Sequence, residues 1–187
     1  MSKAALFISY DGLTDQLGES QIIPYLKGLS EAGYQMHVLS FEKAKRRGRT
    51  QHIQSLLDAA NITWHPETYT ASPPVISTWR DLQTMRATAK RVMNAHNISL
   101  LHCRSYLSAL VGLELKEKAG TTFLFDMRGF WADERVDGDL WNLKNPLFRT
   151  VYNYFKRKER RFFTEADHTV SLTVAGKTVI ENMQLGK

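Results

Sequence analysis

Residues 4–41, AALFISYDGLTDQLGESQIIPYLKGLSEAGYQMHVLSF, hold the outline of a strand, a loop, a helix and a second strand. The first seven residues are a near-continuous apolar run, the pattern of a strand buried on both faces. The run breaks at Tyr10, Asp11 and Gly12. Across residues 20–32 the apolar positions Ile22, Ile23, Tyr25, Leu26, Leu29 and Ala32 recur at helical spacing. Pro24 falls in the first turn of that helix, where a missing N–H costs little. Gly33 supplies a left-handed stop, and QMHVLSF, residues 35–41, follows as the second strand.

The same alternation continues to the end of the chain. A short helix is expected over 53–60, a short strand over 62–65 and a turn-rich loop over 66–74. A long helix over 75–95 follows the Pro73-Pro74 pair. Next come a strand over 100–103, a helix over 106–118 with Ser105 as its cap and Gly120 as its stop, and the β-branched and aromatic run TTFLF over 121–125. Residues 126–145 read as one long loop rich in Gly, Asp and Trp. A helix over 147–164, a strand over 168–172 and a helix over 174–183 complete the pattern. No repeat or linker interrupts it, so residues 1–187 are expected to form a single domain. The fold class is α/β: a doubly wound, mostly parallel, Rossmann-like sheet flanked by helices. Right-handed crossovers place the C-terminal ends of the strands along one edge, where such sheets bind ligands. The loops after Tyr10, Phe41, Cys103, Phe125 and Leu172 are therefore the places to look for chemistry.

Composition narrows the function. Hydrophobic residues make up 43% of the chain and charged residues 24%, as in an ordinary globular protein. The single cysteine, Cys103, rules out an internal disulfide and suits a reducing compartment. At the end of a strand it reads as buried packing, not as half of a Cys–His nucleophile. No apolar run approaches the roughly 18 residues of a spanning helix, and the N-terminus lacks a signal-peptide pattern, so a cytoplasmic location is expected. The net charge of +6 is concentrated in KAKRRGR, residues 43–49, and KRKERR, residues 156–161. These clusters are either solvated faces or contacts to an anionic membrane surface or a phosphorylated substrate. Nucleic acid is not expected, because no nucleic-acid motif accompanies the charge. His37, His65, His96 and His102 show no metal spacing with Cys103 or each other, so neither metal nor cofactor is expected.

Three loops carry the candidate site. DGLTDQLG, residues 11–18, lacks both the Gly-x-Gly-x-x-Gly spacing of dinucleotide folds and a Walker lysine. Gly18 and Glu19 nevertheless stand at the start of a helix, where free N–H groups favour an anion or a sugar hydroxyl. The alternative is that Gly18 merely permits a tight turn. Arg104 follows the fourth strand and faces the same edge, as a ligand contact or as a surface arginine beside the Ser105 cap. The third loop reads DMRGFWADER, residues 126–135. Asp126 can act as a general base on an incoming hydroxyl if burial raises its pKa. Arg128 can grip a phosphate or carboxylate, or pair with Asp126. Trp131 can stack on a sugar face or pack into the core.

Taken together, three segments resemble one enzyme family. DGLTDQLGESQIIPYLKGLSEAGYQMHVLSFEK resembles the opening of the family-four retaining glycosyltransferases with the GT-B fold. FDMRGFWADERVDGDLW resembles the acceptor-side loop of a subgroup, and ADHTVSLTVAGKTVI the last strand before the chain crosses over. The resemblance spans nearly all of the chain. It implies one half of a GT-B architecture, the N-terminal domain that binds a glycan or lipid-linked acceptor. A C-terminal domain would bind the nucleotide-sugar donor and carry a Glu-x7-Glu pair. By the same resemblance Asp126 lies near the reacting centre, Gly18 near the donor phosphates and acceptor, and Arg128 and Glu134 in the acceptor loop. No metal is implied. The Glu-x7-Glu pair is absent, and the chain ends at Gly186-Lys187, where family members cross to the donor domain. The expectation is therefore an acceptor-side domain that is inactive alone. A stand-alone binding module for a sugar phosphate or a partner protein is the other reading.

Overall fold

The structure, a computed structural model, describes residues 3–73 and 75–183. Six parallel strands form one sheet: β1 (Ala4–Ser9), β2 (Gln35–Glu42), β3 (Thr63–Thr68), β4 (Leu100–Arg104), β5 (Thr122–Met127) and β6 (His168–Ser171). Their order is β3-β2-β1-β4-β5-β6, so the direction of winding reverses between β1 and β4. This is the doubly wound α/β arrangement, and the reversal opens a crevice at the strands' C-terminal ends. The helices between them are α1 (Ile23–Glu31), α2 (Thr50–Ala59), α3 (Ile76–His96), α4 (Ser105–Ala119), α5 (Trp131–Asp137), α6 (Pro146–Glu165) and α7 (Val174–Asn182). None of these is long and apolar enough to cross a membrane.

Each face of the sheet has its own core. On one face Leu6, Ile8, Leu39, Phe41, Leu101, Cys103, Phe123 and Phe125 pack with buried residues of α3, α4 and α6. On the other, Ala5, Phe7, Met36, Val38 and Trp64 pack with Ile23 and Leu26 of α1 and Ile53 and Leu57 of α2. The two sets alternate along β1, as period-two side chains must in a strand covered on both sides. Helix α4 lies close to the sheet because residue 112 is glycine. A Cβ there would stand 2.8 Å from the Phe123 ring and collide with the Cys103 sulfur.

Several boundaries differ from the sequence reading for physical reasons. Residues 18–22 form one turn of π-helix ahead of α1, whose first turn holds Pro24. Strand β3 runs through Pro66 to Thr68, which an edge strand allows because its outer N–H groups need no partner. The cluster at residues 43–49 is mostly a 3-10 helix, Ala44–Arg49. Ser105 is the first residue of α4 with φ +67°, and its side chain makes no cap bond. The expected loop over 126–145 is shorter: β5 continues to Met127, and α5 occupies Trp131–Asp137. Pro74, half of the proline pair expected to precede α3, and the terminal Gly186-Lys187 lie outside the described residues.

Candidate functional site

The register across the sheet builds the site. Ser9 pairs with Arg104, Arg104 with Asp126, and Asp126 with Val170. These four residues make a row near the C-terminal ends of β1, β4, β5 and β6, with neighbours roughly 5 Å apart. One residue pair further down, His102 lies on the same face as Arg104, because side chains alternate. A cavity of about 140 Å³ opens at this row, lined by Phe7, Gln21, Tyr25, His102, Arg104, Asp126 and Arg128 among others.

Asp126 is the centre of the cavity. It is 6% exposed, and its Oδ2 lies 3.4 Å from His102 Nε2. Arg128 Nη1 stands 3.5 Å from its Oδ1. Burial alone would raise the carboxyl pKa. The His102 hydrogen bond and the charges of His102, Arg128 and Arg104 outweigh it and hold Asp126 below the ordinary carboxylate value. The raised pKa that general-base work would need is therefore not found. Asp126 is a carboxylate near neutral pH, able to accept a hydrogen bond from a hydroxyl and orient it. Its Oδ1 has no hydrogen-bond partner.

The two arginines flank it. Arg104 is only 6% exposed, which sets aside the surface-arginine reading. Its Nε lies 3.7 Å from Asp11 Oδ2, too long for a hydrogen bond. Burial, then repulsion from Arg128, lower its pKa, while Asp126 and Asp11 pull it back up. Arg128 is more accessible and donates to Gln21 Oε1 over 3.2 Å. The His102 ring is held between Phe7, at 4.6 Å between centroids, and Tyr25, at 5.4 Å.

Four sequence candidates lie elsewhere. Gly18 is buried, and its N–H is already bonded to Asp15 O at 3.0 Å, so it is not free for a ligand. Its lack of a Cβ is needed for the backbone of Leu13, which passes through that space. Glu19 pairs with Arg49, and its Oε1 lies 3.1 Å from His52 Nε2, tying the first turn to α2. Trp131 turns to the opposite face, with its ring centroid 4.7 Å from Phe155, 5.3 Å from Trp141 and 5.9 Å from Tyr106. Core packing, not sugar stacking, is what its position supports. Glu134 is exposed and folds its carboxylate over Gly129, where any Cβ would strike it.

Other residues of this edge were missed in the sequence. His102, Gln21 and Tyr25 line the cavity. Glu42, at the end of β2, accepts from Leu13 N at 2.8 Å, Thr14 N at 3.0 Å, Thr14 Oγ1 at 2.5 Å and Ser40 Oγ at 2.6 Å. It thereby fixes the loop that enters α1. His102 was legible: it stands two positions before Arg104 on a strand, hence on the same face. Among the described residues no group of three His, Cys, Asp or Glu side chains is placed to hold a metal ion.

Known structures place the fold. A sucrose-phosphate synthase from Thermosynechococcus elongatus superposes with a TM-score of 0.60 at 12% identity, covering 96% of this chain and 45% of that one. A glycosyltransferase from Rickettsia africae gives 0.45 at 16% identity, over 67% of this chain and 30% of that one. The chain thus spans less than half the length of either. No curated sequence matches it. The sucrose-phosphate synthase likeness shows the fold of one half of a GT-B enzyme. Residues 24–182 match the profile of the glycosyl transferase 4-like domain, and the chain belongs to that family.

Proposed function

We propose that the chain is the acceptor-side domain of a retaining glycosyltransferase, with Asp126 receiving the acceptor hydroxyl. The family supports sugar transfer in general. The finer reading rests on one observation: a cavity at the β1/β4 reversal whose buried carboxylate has an unpartnered oxygen. Arg104 and Arg128 hold the acceptor beside Asp126, and His102 keeps the carboxylate ionised and oriented. Gly18 and Glu19 shape the loop that walls the cavity, and Trp131 and Glu134 brace the segment carrying Arg128. A nucleotide-sugar is the donor, gripped by a second domain. Val170, which lines the cavity, and Leu172 and Val174, which follow it in the chain, are 44%, 55% and 81% exposed, apolar surface of the kind a second domain covers. Half a cleft supplies no preorganised charge at the leaving group, so these residues alone do not turn over.

Amide chemical shifts test the reading. Oligosaccharides should perturb Tyr25, His102 and Arg128, Asp126→Asn should weaken that response, and nucleotide-sugars should bind weakly. Tight nucleotide-sugar binding without any glycan response, or sugar transfer by the chain alone, would overturn it. A second element concerns place: the basic face of α6 supports contact with an anionic membrane surface on the cytoplasmic side, where a lipid-linked acceptor would be met.

A further inference from the structure

The cavity contains more cation than its own carboxylate uses. Of the side chains lining it, Arg104 and Arg128 are cationic and Asp126 alone is anionic; Asp11, outside the lining, faces Arg104 Nε at 3.7 Å, an ion pair too long for a hydrogen bond. Neither guanidinium is hydrogen-bonded to that carboxylate: Arg128 Nη1 stays 3.5 Å away, and the Arg104 Nε has no hydrogen-bond partner. Arg104 is nevertheless 6% exposed. A buried guanidinium donor without an acceptor is costly, and its pairing with an anion is stronger than with a neutral oxygen. The two guanidinium groups also repel one another, which a shared anion would relieve. On the other side of the same space, Asp126 Oδ1 lacks a donor. A ligand that offers a hydroxyl to Asp126 and an oxyanion to the arginines satisfies both groups at once.

We infer that the acceptor is an acidic sugar, in which a phosphate or carboxylate stands close to the hydroxyl that Asp126 receives. The inference rests on the acceptor-side reading and narrows it to a substrate class. Its geometry follows the sheet: Arg104 and Asp126 are paired neighbours on adjacent strands, so the oxyanion and the hydroxyl of one ring lie about one strand spacing apart. The planar fork of Arg128, entering from the loop after β5, closes on the anion from the solvent side. A nucleoside diphosphate carries the same oxyanion chemistry, so the test separates the two sources.

The full chain, labelled for amide NMR, is titrated with glucuronate, glucose 6-phosphate, glucose, inorganic phosphate and uridine diphosphate. Glucuronate or glucose 6-phosphate should bind at least about tenfold more tightly than glucose, the scale of one charge-assisted contact. Inorganic phosphate should bind more weakly than the acidic sugars, because one small ion does not span the strand spacing between the arginines and Asp126 Oδ1. Arg128→Gln should bring the acidic sugars down to the level of glucose, and Arg128→Lys should keep part of the difference. The spectrum of each variant shows directly that it is folded. Equal binding of glucose and glucuronate overturns the acidic class while leaving the acceptor-side reading intact. Inorganic phosphate binding as tightly as glucose 6-phosphate also overturns it, as a bare anion site. So does uridine diphosphate shifting the cavity resonances when the acidic sugars do not, since the arginines would then serve the donor. If no sugar shifts these resonances, the acceptor-side reading falls together with this one.

Discussion

Glu42 shows how one carboxylate can hold a loop in place. Its oxygens accept from two backbone N–H groups and two hydroxyls, on Leu13, Thr14 and Ser40. Bonds to an ionised acceptor are the strong ones, and a buried donor left unpaired carries its full desolvation penalty. Glu42→Gln keeps the shape but turns an NH2 group toward these donors. Urea unfolding should show a loss of about 1–3 kcal/mol, with the m-value unchanged. Gly18 works in the same loop by exclusion. A methyl at 18 meets the Cα, carbonyl carbon and oxygen of Leu13, which are backbone and cannot rotate aside. Gly18→Ala should therefore cost about 1–3 kcal/mol, as overpacking does, although alanine within a helix is normally favoured over glycine. A neutral or stabilising result in the same melt would mean that the loop shifts freely. Asp126 differs from both: its neighbours hold its pKa down, yet its Oδ1 has no hydrogen-bond partner.

At the scale of elements, β1, α1 and β2 were legible because one physical cause acts throughout each. Continuous burial produces the run of apolar residues in β1, and one buried stripe produces the spacing in α1. Helix α5 was not legible. Its sequence, WADERVD, is held by Trp131 packing against Trp141 just past its end and against Tyr106 and Phe155, both distant in the chain. The Arg104–Asp126 pairing was equally hidden, since register between strands is not written in either strand. A third hidden cluster joins β2, β3 and α3 at the sheet's other end. His37 Nδ1 lies 3.2 Å from His65 Nε2, and the His37 and His96 rings are 4.2 Å apart. Burial first, then His96 and His65, push His37 down to about 4; burial, then Arg91 and His96, do the same to His65. The folded state therefore binds fewer protons than the unfolded chain between pH 6.5 and about 4. Stability from these two groups is complete above pH 6.5 and is lost progressively as pH falls toward 4. Thermal melts should show Tm falling already between pH 6.5 and 5, before carboxylates titrate. His65→Gln removes one of the two groups and should flatten that slope; an unchanged slope would assign it elsewhere.

For the molecule as a whole, the distribution of charge matters more than the net +6. Much of the basic excess is engaged internally. Lys156 is bonded to Asp133 and Glu159, Arg161 pairs with Glu117 and Glu165, and Lys43 and Arg46 face Asp15. Among the cations outside these pairs is a stripe on α6. Arg149, Asn153, Arg157 and Arg160 are exposed at spacings of four, four and three, one side of a helix, and the three arginines form no ion pair among the described residues. Phe155, Phe162 and Phe163 bury the opposite side of α6 in the core, so the stripe is fixed in orientation. Leu147 and Tyr154, 54% and 39% exposed, add apolar surface beside it. A rigid basic face with apolar neighbours suits the interface of an anionic bilayer, where each cation contributes about 1 kcal/mol. Vesicles containing phosphatidylserine should therefore retain the chain at low salt and release it as screening shortens the reach of the charges. Arg157→Glu together with Arg160→Glu should weaken retention by roughly 30-fold or more, the equivalent of about 2 kcal/mol for the two lost cations alone. Equal retention of this variant, or indifference of the wild-type chain to vesicle charge, would confine α6 to packing and remove the membrane from the proposed function.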